Sequence, residues 1–272
     1  MEILHAIVLG IIQGLTEFLP VSSSGHLVMG QHLFGLREAE LFFDICVHAG
    51  TLIAVIIFFR KEIRDILSAL VSFLKKAAVR KVSPAEALQD ADVKLALLIV
   101  CGSVPTAVIG LFFHKMAEEI FSSVFLVGWM LLITGFFLWF TRKMKESGSG
   151  IADFTFRQAL CIGFIQGLAI LPGISRSGST IAAGLFLGLS RETAARYSFL
   201  LSIPAITGAL ILSFRDMGAA SAGSAALYGA AAAGITGYCA LTFLVYIVKK
   251  GHLYLFAPYC WIIGAAALIY SW

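Results

Sequence analysis

Leu19-Pro20-Val21-Ser22-Ser23-Ser24-Gly25-His26 interrupts the apolar run over residues 3–34 near its middle, and Leu171-Pro172-Gly173-Ile174-Ser175-Arg176-Ser177-Gly178 does the same to residues 156–190. Each run is long enough to cross a bilayer, yet proline, glycine and serine divide it into halves too short to span a hydrocarbon core of about 30 Å. Irregular backbone at that depth is tolerated only where it is buried in protein or lines a cavity. The pattern predicts two re-entrant helical hairpins, each entering and leaving the membrane on one side.

The surrounding sequence has the composition of a chain dissolved in lipid. Of its 272 residues 59% are hydrophobic and 13% charged, with a mean hydropathy of +0.92. A soluble domain carries about 25% charged residues, so this chain cannot coat a water-facing surface. Collagen, disorder, a disulfide scaffold and a single-anchor protein are excluded by the same numbers. Six uninterrupted apolar segments read as spanning helices: roughly 41–59, 94–113, 120–141, 195–214, 225–248 and 253–271. Cys46, Cys101, Cys161, Cys239 and Cys260 all lie in apolar stretches and read as small core residues, not metal or redox ligands. The start, Met1-Glu2-Ile3-Leu4-His5, has an acid where a signal peptide needs bases and is expected to stay in the mature chain.

Lysine and arginine set the orientation. With six spans and two hairpins, sixteen of the twenty bases fall on one side, read as cytoplasmic: Arg60 to Lys94, then Arg142, Lys143, Lys145, Arg157, Arg191, Arg196, Lys249 and Lys250. The other face keeps Arg37, Lys115 and Arg215, with Glu118 and Glu119 in a solvated outer loop. Ile63, Ile66, Leu67, Leu70 and Leu74 share one face of a helix within 62–82, the pattern of an interfacial helix. The net charge of +4 is therefore an orientation signal and carries no nucleic-acid footprint.

The two broken runs are also related. Residues 6–15 and 159–168 share six identities in ten at a shift of 153, including Gln13 with Gln166, and the match resumes at Leu19-Pro20 with Leu171-Pro172. Pro105 and Pro258 stand at the same spacing. A hairpin plus three spans per half forces the halves into opposite orientations. The expectation is one polytopic membrane domain over 1–272, built as an inverted repeat of about 1–148 and 149–272, with both tips near the pseudo-two-fold axis.

Glu17, His26 and Arg176 lie within or near those tips. A charge at membrane depth costs at least about 2.5–3.5 kcal/mol, so each needs a partner or a function. Gln13 and Glu17 share a helix face. Ser22 or Ser23 can cap a helix running through His26, which falls back over Ser23 and brings imidazole near hydroxyl, the arrangement that activates a nucleophile. At the second tip Gly173, Ser175, Ser177 and Gly178 open a helix over 179–189 whose amides and dipole suit an anion, and Arg176 adds a bidentate fork. Phosphate or diphosphate is the ligand that fits. The glycine pairs 10/14, 163/167 and 184/188 are expected to pack helices closely within the hairpins. Asp44 reads as interfacial, and His48 as either structural or lining the outer cavity.

The runs Gln13 to His26 and Leu171 to Thr180 resemble the two signatures of the undecaprenyl-diphosphate phosphatase, or bacitracin-resistance, family, and the resemblance extends over the whole chain. The family has Glu or Gln, three residues, then Glu; Gln13 takes the second option, and Ser24 stands where threonine is also common. The resemblance implies hydrolysis of a C55 polyprenyl diphosphate to the monophosphate carrier of cell-wall synthesis, in a bacterial cell membrane, with the active site facing outward. It further implies bacitracin resistance, the antibiotic competing by sequestering the substrate, and stimulation by Mg²⁺ or Ca²⁺; a homodimer is compatible with it. Ser23 is the expected nucleophile, helped by His26, with Ser24 or a water activated by Glu17 as alternatives. Arg176, Ser24, Gly173, Ser175, Ser177, Gly178 and Thr180 are expected to hold phosphate, and Glu17 with Gln13 a metal, or Glu17 the resolving water. The rival class on architecture is a secondary transporter, in its most specific form a polyprenyl-phosphate flippase.

Overall fold

The structure is a computed structural model that describes residues 2–34, 41–78, 88–114, 123–146, 148–216 and 224–271. The described residues are helical, with one isolated bridge between Ser149 and Leu189. The helices are α1 (Ile3–Phe18), α2 (Ser23–Leu33), α3 (Leu41–Phe58), α4 (Arg60–Ala78), α5 (Ala91–His114), α6 (Val124–Phe140), α7 (Phe156–Leu168), α8 (Arg176–Phe186), α9 (Arg191–Asp216), α10 (Ser224–Lys249) and α11 (Ala257–Tyr270). Short 3₁₀ turns, Thr141–Lys143 and Leu253–Phe256, extend α6 and introduce α11.

Among the described residues five helices are long and apolar enough to cross a membrane, within Ala91–Phe113, Val124–Lys143, Arg191–Arg215, Ser224–Lys249 and Leu253–Tyr270. A sixth candidate crossing is the pair α3 and α4, which together meet the same length and composition and are bent by 74° at their junction. On α4 Ile66 is buried while Leu67, Val71 and Leu74 are exposed among lysines and arginines, as an interfacial helix requires. Residues 79–82 of the expected helix, with Arg37, Lys115, Glu118 and Glu119, lie outside the described residues. The chain is an all-α, multi-pass membrane protein, and large side chains such as Phe112, Trp129, Ile235 and Ile262 stand exposed on its outer surface where lipid would meet them.

Both apolar runs break where the sequence breaks, and the arms of each break pack on one another, α1 on α2 and α7 on α8. The glycine pairs work differently from expectation. Gly10 lies against the carbonyl of Gly229 in α10, and Gly163 against the carbonyl of Gly102 in α5; a methyl group at either would strike backbone. The close approach is thus between a hairpin arm and a long span, not within the hairpin. Gly184 faces Ala194 of α9, and Gly188 (φ 86°) ends α8 in the left-handed region. Pro105 sits inside α5 and Pro258 in the first turn of α11, helices with different neighbours, so their spacing carries no structural correspondence. Of the cysteines Cys260 is a buried core residue, whereas Cys161 and Cys239 are exposed, on a surface where a thiol is apolar enough for lipid.

Basic connections from different parts of the chain meet at one end of the bundle. Lys94 Nζ donates to the Ala152 carbonyl at 2.5 Å, and Arg191 pairs with Glu146 at 2.9 Å, Lys249 with Glu192 at 3.2 Å and Arg196 with Asp92 at 3.7 Å.

Candidate active site

The two breaks touch. Ser22 adopts φ 69°, the one left-handed non-glycine among the described residues, and its Oγ accepts the Gly173 N–H across the tips at 3.0 Å. Gly173 itself has φ 97° and packs against Val127 of α6, where no side chain fits. Thr134 of α6 completes the second tip: its Oγ1 donates to the Gly173 carbonyl at 3.0 Å and accepts the Ser175 N–H at 3.1 Å. At the first tip Cys260 Sγ donates to the Pro20 carbonyl at 3.4 Å. Backbone groups freed by the breaks are therefore re-satisfied by side chains from distant helices, as hydrocarbon demands.

Glu17, buried at the end of α1, is the hub. Its Oε2 accepts the Ser23 hydroxyl at 2.5 Å and the Gln13 amide at 2.9 Å, and its Oε1 accepts Arg176 Nη2 at 2.6 Å. His48 of α3 brings Nε2 to 3.9 Å from Oε2, with Nδ1 donating to the Asp44 carbonyl at 2.8 Å. Asp44 in turn accepts from Gln31 at 3.0 Å. An arginine–glutamate pair at this depth joins the halves of the chain across 159 residues. Two polar atoms of the group are buried without a hydrogen-bond partner: Arg176 Nη1, a donor, and Gln13 Oε1, an acceptor.

His26 keeps its helical place in α2, but its ring bonds to groups other than Ser23. Its Nδ1 donates to the Ser22 carbonyl and its Nε2 meets the Tyr259 hydroxyl of α11, both at 2.8 Å. The left-handed Ser22 sets the direction of α2 relative to α1, and Ser23 in its first turn meets Glu17 while the His26 imidazole bonds back to the Ser22 carbonyl. Ser22, and not Ser23, lies at the cap position, accepting Gly25 N–H at 3.4 Å. Ser24 lies 3.4 Å from Ser22 Oγ and does not enter the Glu17 group.

At the second tip the helix begins at Arg176, three residues before its expected start, with Ser175 as its cap accepting the Gly178 N–H at 3.1 Å. Protein hydroxyls thus occupy the amides of Gly173, Ser175 and Gly178. Those of Arg176 and Ser177 have no partner among the described residues. Ser177 is buried 3.3 Å from Ser175 Oγ. Thr180 lies away from the tip, its hydroxyl donating to the Arg176 carbonyl at 2.8 Å and 2.5 Å from Ser198 of α9. Tyr259, His48, Thr134 and the inter-tip role of Ser22 are what sequence reasoning missed or left open.

The donor set does not by itself make a divalent-cation site. Mg²⁺ and Ca²⁺ take six or more oxygens; here one oxygen, Gln13 Oε1, is open, and both Glu17 oxygens already accept hydrogen bonds, one of them from a guanidinium. No group of three or more His, Cys, Asp or Glu is arranged to hold a metal among the described residues.

Fold and site together define a multi-pass α-helical membrane protein with a hydroxyl, a carboxylate and a guanidinium joined where two broken helices meet. Comparison with known proteins narrows that class. The profile described as "Bacitracin resistance protein BacA" matches residues 6–266, and the chain belongs to that family. Its relatives include the undecaprenyl-diphosphatases of Desulforapulum autotrophicum, 52% identical with 99% of this chain and 98% of the relative covered, and of Desulfosudis oleivorans, 54% identical with 98% of each covered. That of Halothermothrix orenii is 44% identical over 99% of this chain and 98% of its own length.

Proposed function

We propose that this chain is an undecaprenyl-diphosphatase, removing the terminal phosphate of a C55 polyprenyl diphosphate and returning the monophosphate carrier to cell-wall synthesis. Bacitracin resistance is the known role of its family. The observation that carries the assignment to these residues is the Glu17 hub: a serine hydroxyl on one oxygen, a guanidinium on the other, and an adjacent guanidinium nitrogen buried with its donor unused.

Arg176 Nη1 and the amides of Arg176 and Ser177 bind the terminal phosphate oxygens and stabilise the charge that develops on them. Glu17 takes the Ser23 proton as Ser23 Oγ bonds to the terminal phosphorus. The bond from that phosphorus to the bridging oxygen breaks, and polyprenyl monophosphate leaves. Water then attacks the phosphoserine and gives its proton to His26, while Glu17 returns its proton to Ser23 Oγ as the P–O bond to serine breaks. The hydrogen bond from Ser23 to Glu17 supports Glu17 rather than His26 as the base for Ser23, with His26 serving the hydrolytic step. A divalent cation, if bound, would be held by Gln13 Oε1 and Glu17 only together with oxygens from the substrate, and would supply charge neutralisation of the diphosphate.

Several observations support an inverted repeat beneath this site. Packing of α1 on α10 is matched by α7 on α5, and α3 against α10 by α9 against α5; Gly10 on Gly229 has its counterpart in Gly163 on Gly102. The basic end of the bundle supports a cytoplasmic face there, with the first tip approached from outside. Transport alone requires no serine held on a buried carboxylate, so hydrolysis is the better reading. Phosphate release from polyprenyl diphosphate by the purified protein tests it: release is expected from the native chain and lost with Arg176→Ala, whereas release unaffected by that change would remove the arginine from the site.

A further inference from the structure

We infer that Tyr259 and His26 act as one unit in the hydrolytic step, with the phenol standing between the imidazole and the reacting water; the inference rests on the role proposed for His26 above. The Ser22 carbonyl at 2.8 Å from Nδ1 can only accept, so Nδ1 carries the hydrogen and the neutral ring has its single in-plane lone pair at Nε2. That lone pair is occupied by the Tyr259 hydroxyl, also at 2.8 Å. The rings lie nearly parallel, 8° between planes with centroids 5.7 Å apart. Tyr259 is held there by its own helix: Pro258 opens α11, and the neighbouring Cys260 is buried on the Pro20 carbonyl of the same tip. Tyr259 itself is exposed, at 42%, while its hydroxyl is bonded to the imidazole.

A proton bound for Nε2 therefore crosses the phenol. Water gives its proton to the phenolic oxygen as the phenol gives its own to Nε2, and after transfer the phenolic oxygen accepts from Nε2–H. Tyrosine is neutral before and after, one proton moves from water to imidazole, and the ring keeps its orientation throughout. Nothing in the local sequence announces this partner, which lies 233 residues from His26.

Tyr259→Phe keeps the stacked ring and removes only the hydroxyl, so its thermal midpoint should match that of the native protein. Its kcat for phosphate release should fall about tenfold, the upper end of what one neutral hydrogen bond contributes, with KM changed less than twofold and phosphoserine accumulating at Ser23. His26→Ala should do the same, and the double variant should be no slower than the slower single one. The His26 Nε2 nitrogen resonance should move in Tyr259→Phe, a readout independent of turnover. A slow His26→Ala beside a Tyr259→Phe within twofold of native, or losses that multiply in the double variant, would overturn the unit while leaving the phosphatase reading intact. A His26→Ala protein of native rate would overturn the unit together with the role of His26, and a native protein that releases no phosphate would remove the reading beneath both.

Discussion

Arg176→Lys separates the two jobs of the arginine. In the native protein Nη2 lies 2.6 Å from Glu17 Oε1, while Nη1 is buried with no partner. Lysine keeps the positive charge beside Glu17 and supplies one compact donor centre, so the ion pair between the tips survives but the second prong does not. A donor aimed at developing charge in a water-excluded site contributes about 2.7–4 kcal/mol to the transition state, a factor of about 10²–10³ in kcat. The expected result is a protein that unfolds near the native temperature and turns over about 10²–10³ more slowly. Arg176→Ala goes further, because it leaves Glu17 buried and uncompensated, at a cost of about 3–5 kcal/mol in stability. Phosphate release under saturating substrate gives kcat, and tryptophan fluorescence on heating gives the midpoint. Arg176→Lys within threefold of native kcat would refute the idea that the unpaired nitrogen awaits a phosphate oxygen.

Ser22→Ala should lower stability by about 1–3 kcal/mol, because it strands the buried Gly173 N–H that now bonds Ser22 Oγ at 3.0 Å; thermal melts check it, and an unchanged midpoint would show that water takes over. Gly163→Val places atoms against the Gly102 carbonyl and should cost about 1–3 kcal/mol or more by overpacking, read as a lower midpoint, while at Gly188, where an added Cβ would meet nothing within 4 Å, the same change should act chiefly through the left-handed φ. Gln13→Glu sets a second carboxylate beside Glu17, and the pair either shares a proton or gains affinity for a divalent cation; the variant's phosphate release should become more sensitive to chelator than the native protein's, and equal sensitivity would show that a proton serves instead. Ser23→Ala should abolish both turnover and phosphoenzyme, and near-native turnover would return the nucleophile to water.

The spanning helices were legible in the sequence because twenty-residue apolar runs with charges at their ends have one interpretation in lipid. Both breaks were legible for the same reason, since Pro20 and Pro172 with their serines and glycines stand where a span cannot tolerate them. The wiring of the first tip was not. Helical spacing puts His26 one turn beyond Ser23, but Ser22 in the left-handed region directs α2 so that Ser23 meets Glu17, and serine carries no propensity that announces such a conformation. The carboxylate that Ser23 meets precedes it by six residues across the break, beyond the reach of any periodicity argument. Glycine spacing in α1 and α7 announced close approach but not its object, because a small-residue stripe has no complementary mark on the helix it meets. Tyr259 and Thr134 belong to distant helices and became visible only through the contacts they make.

The most direct test is release of inorganic phosphate from polyprenyl diphosphate by the purified protein beside its Glu17→Gln variant, which keeps the shape of the hub and removes its charge and basicity. Steady release by the native chain and none above background from the variant are expected if the carboxylate shared by Ser23 and Arg176 is the catalytic centre. Equal release by both proteins would contradict it.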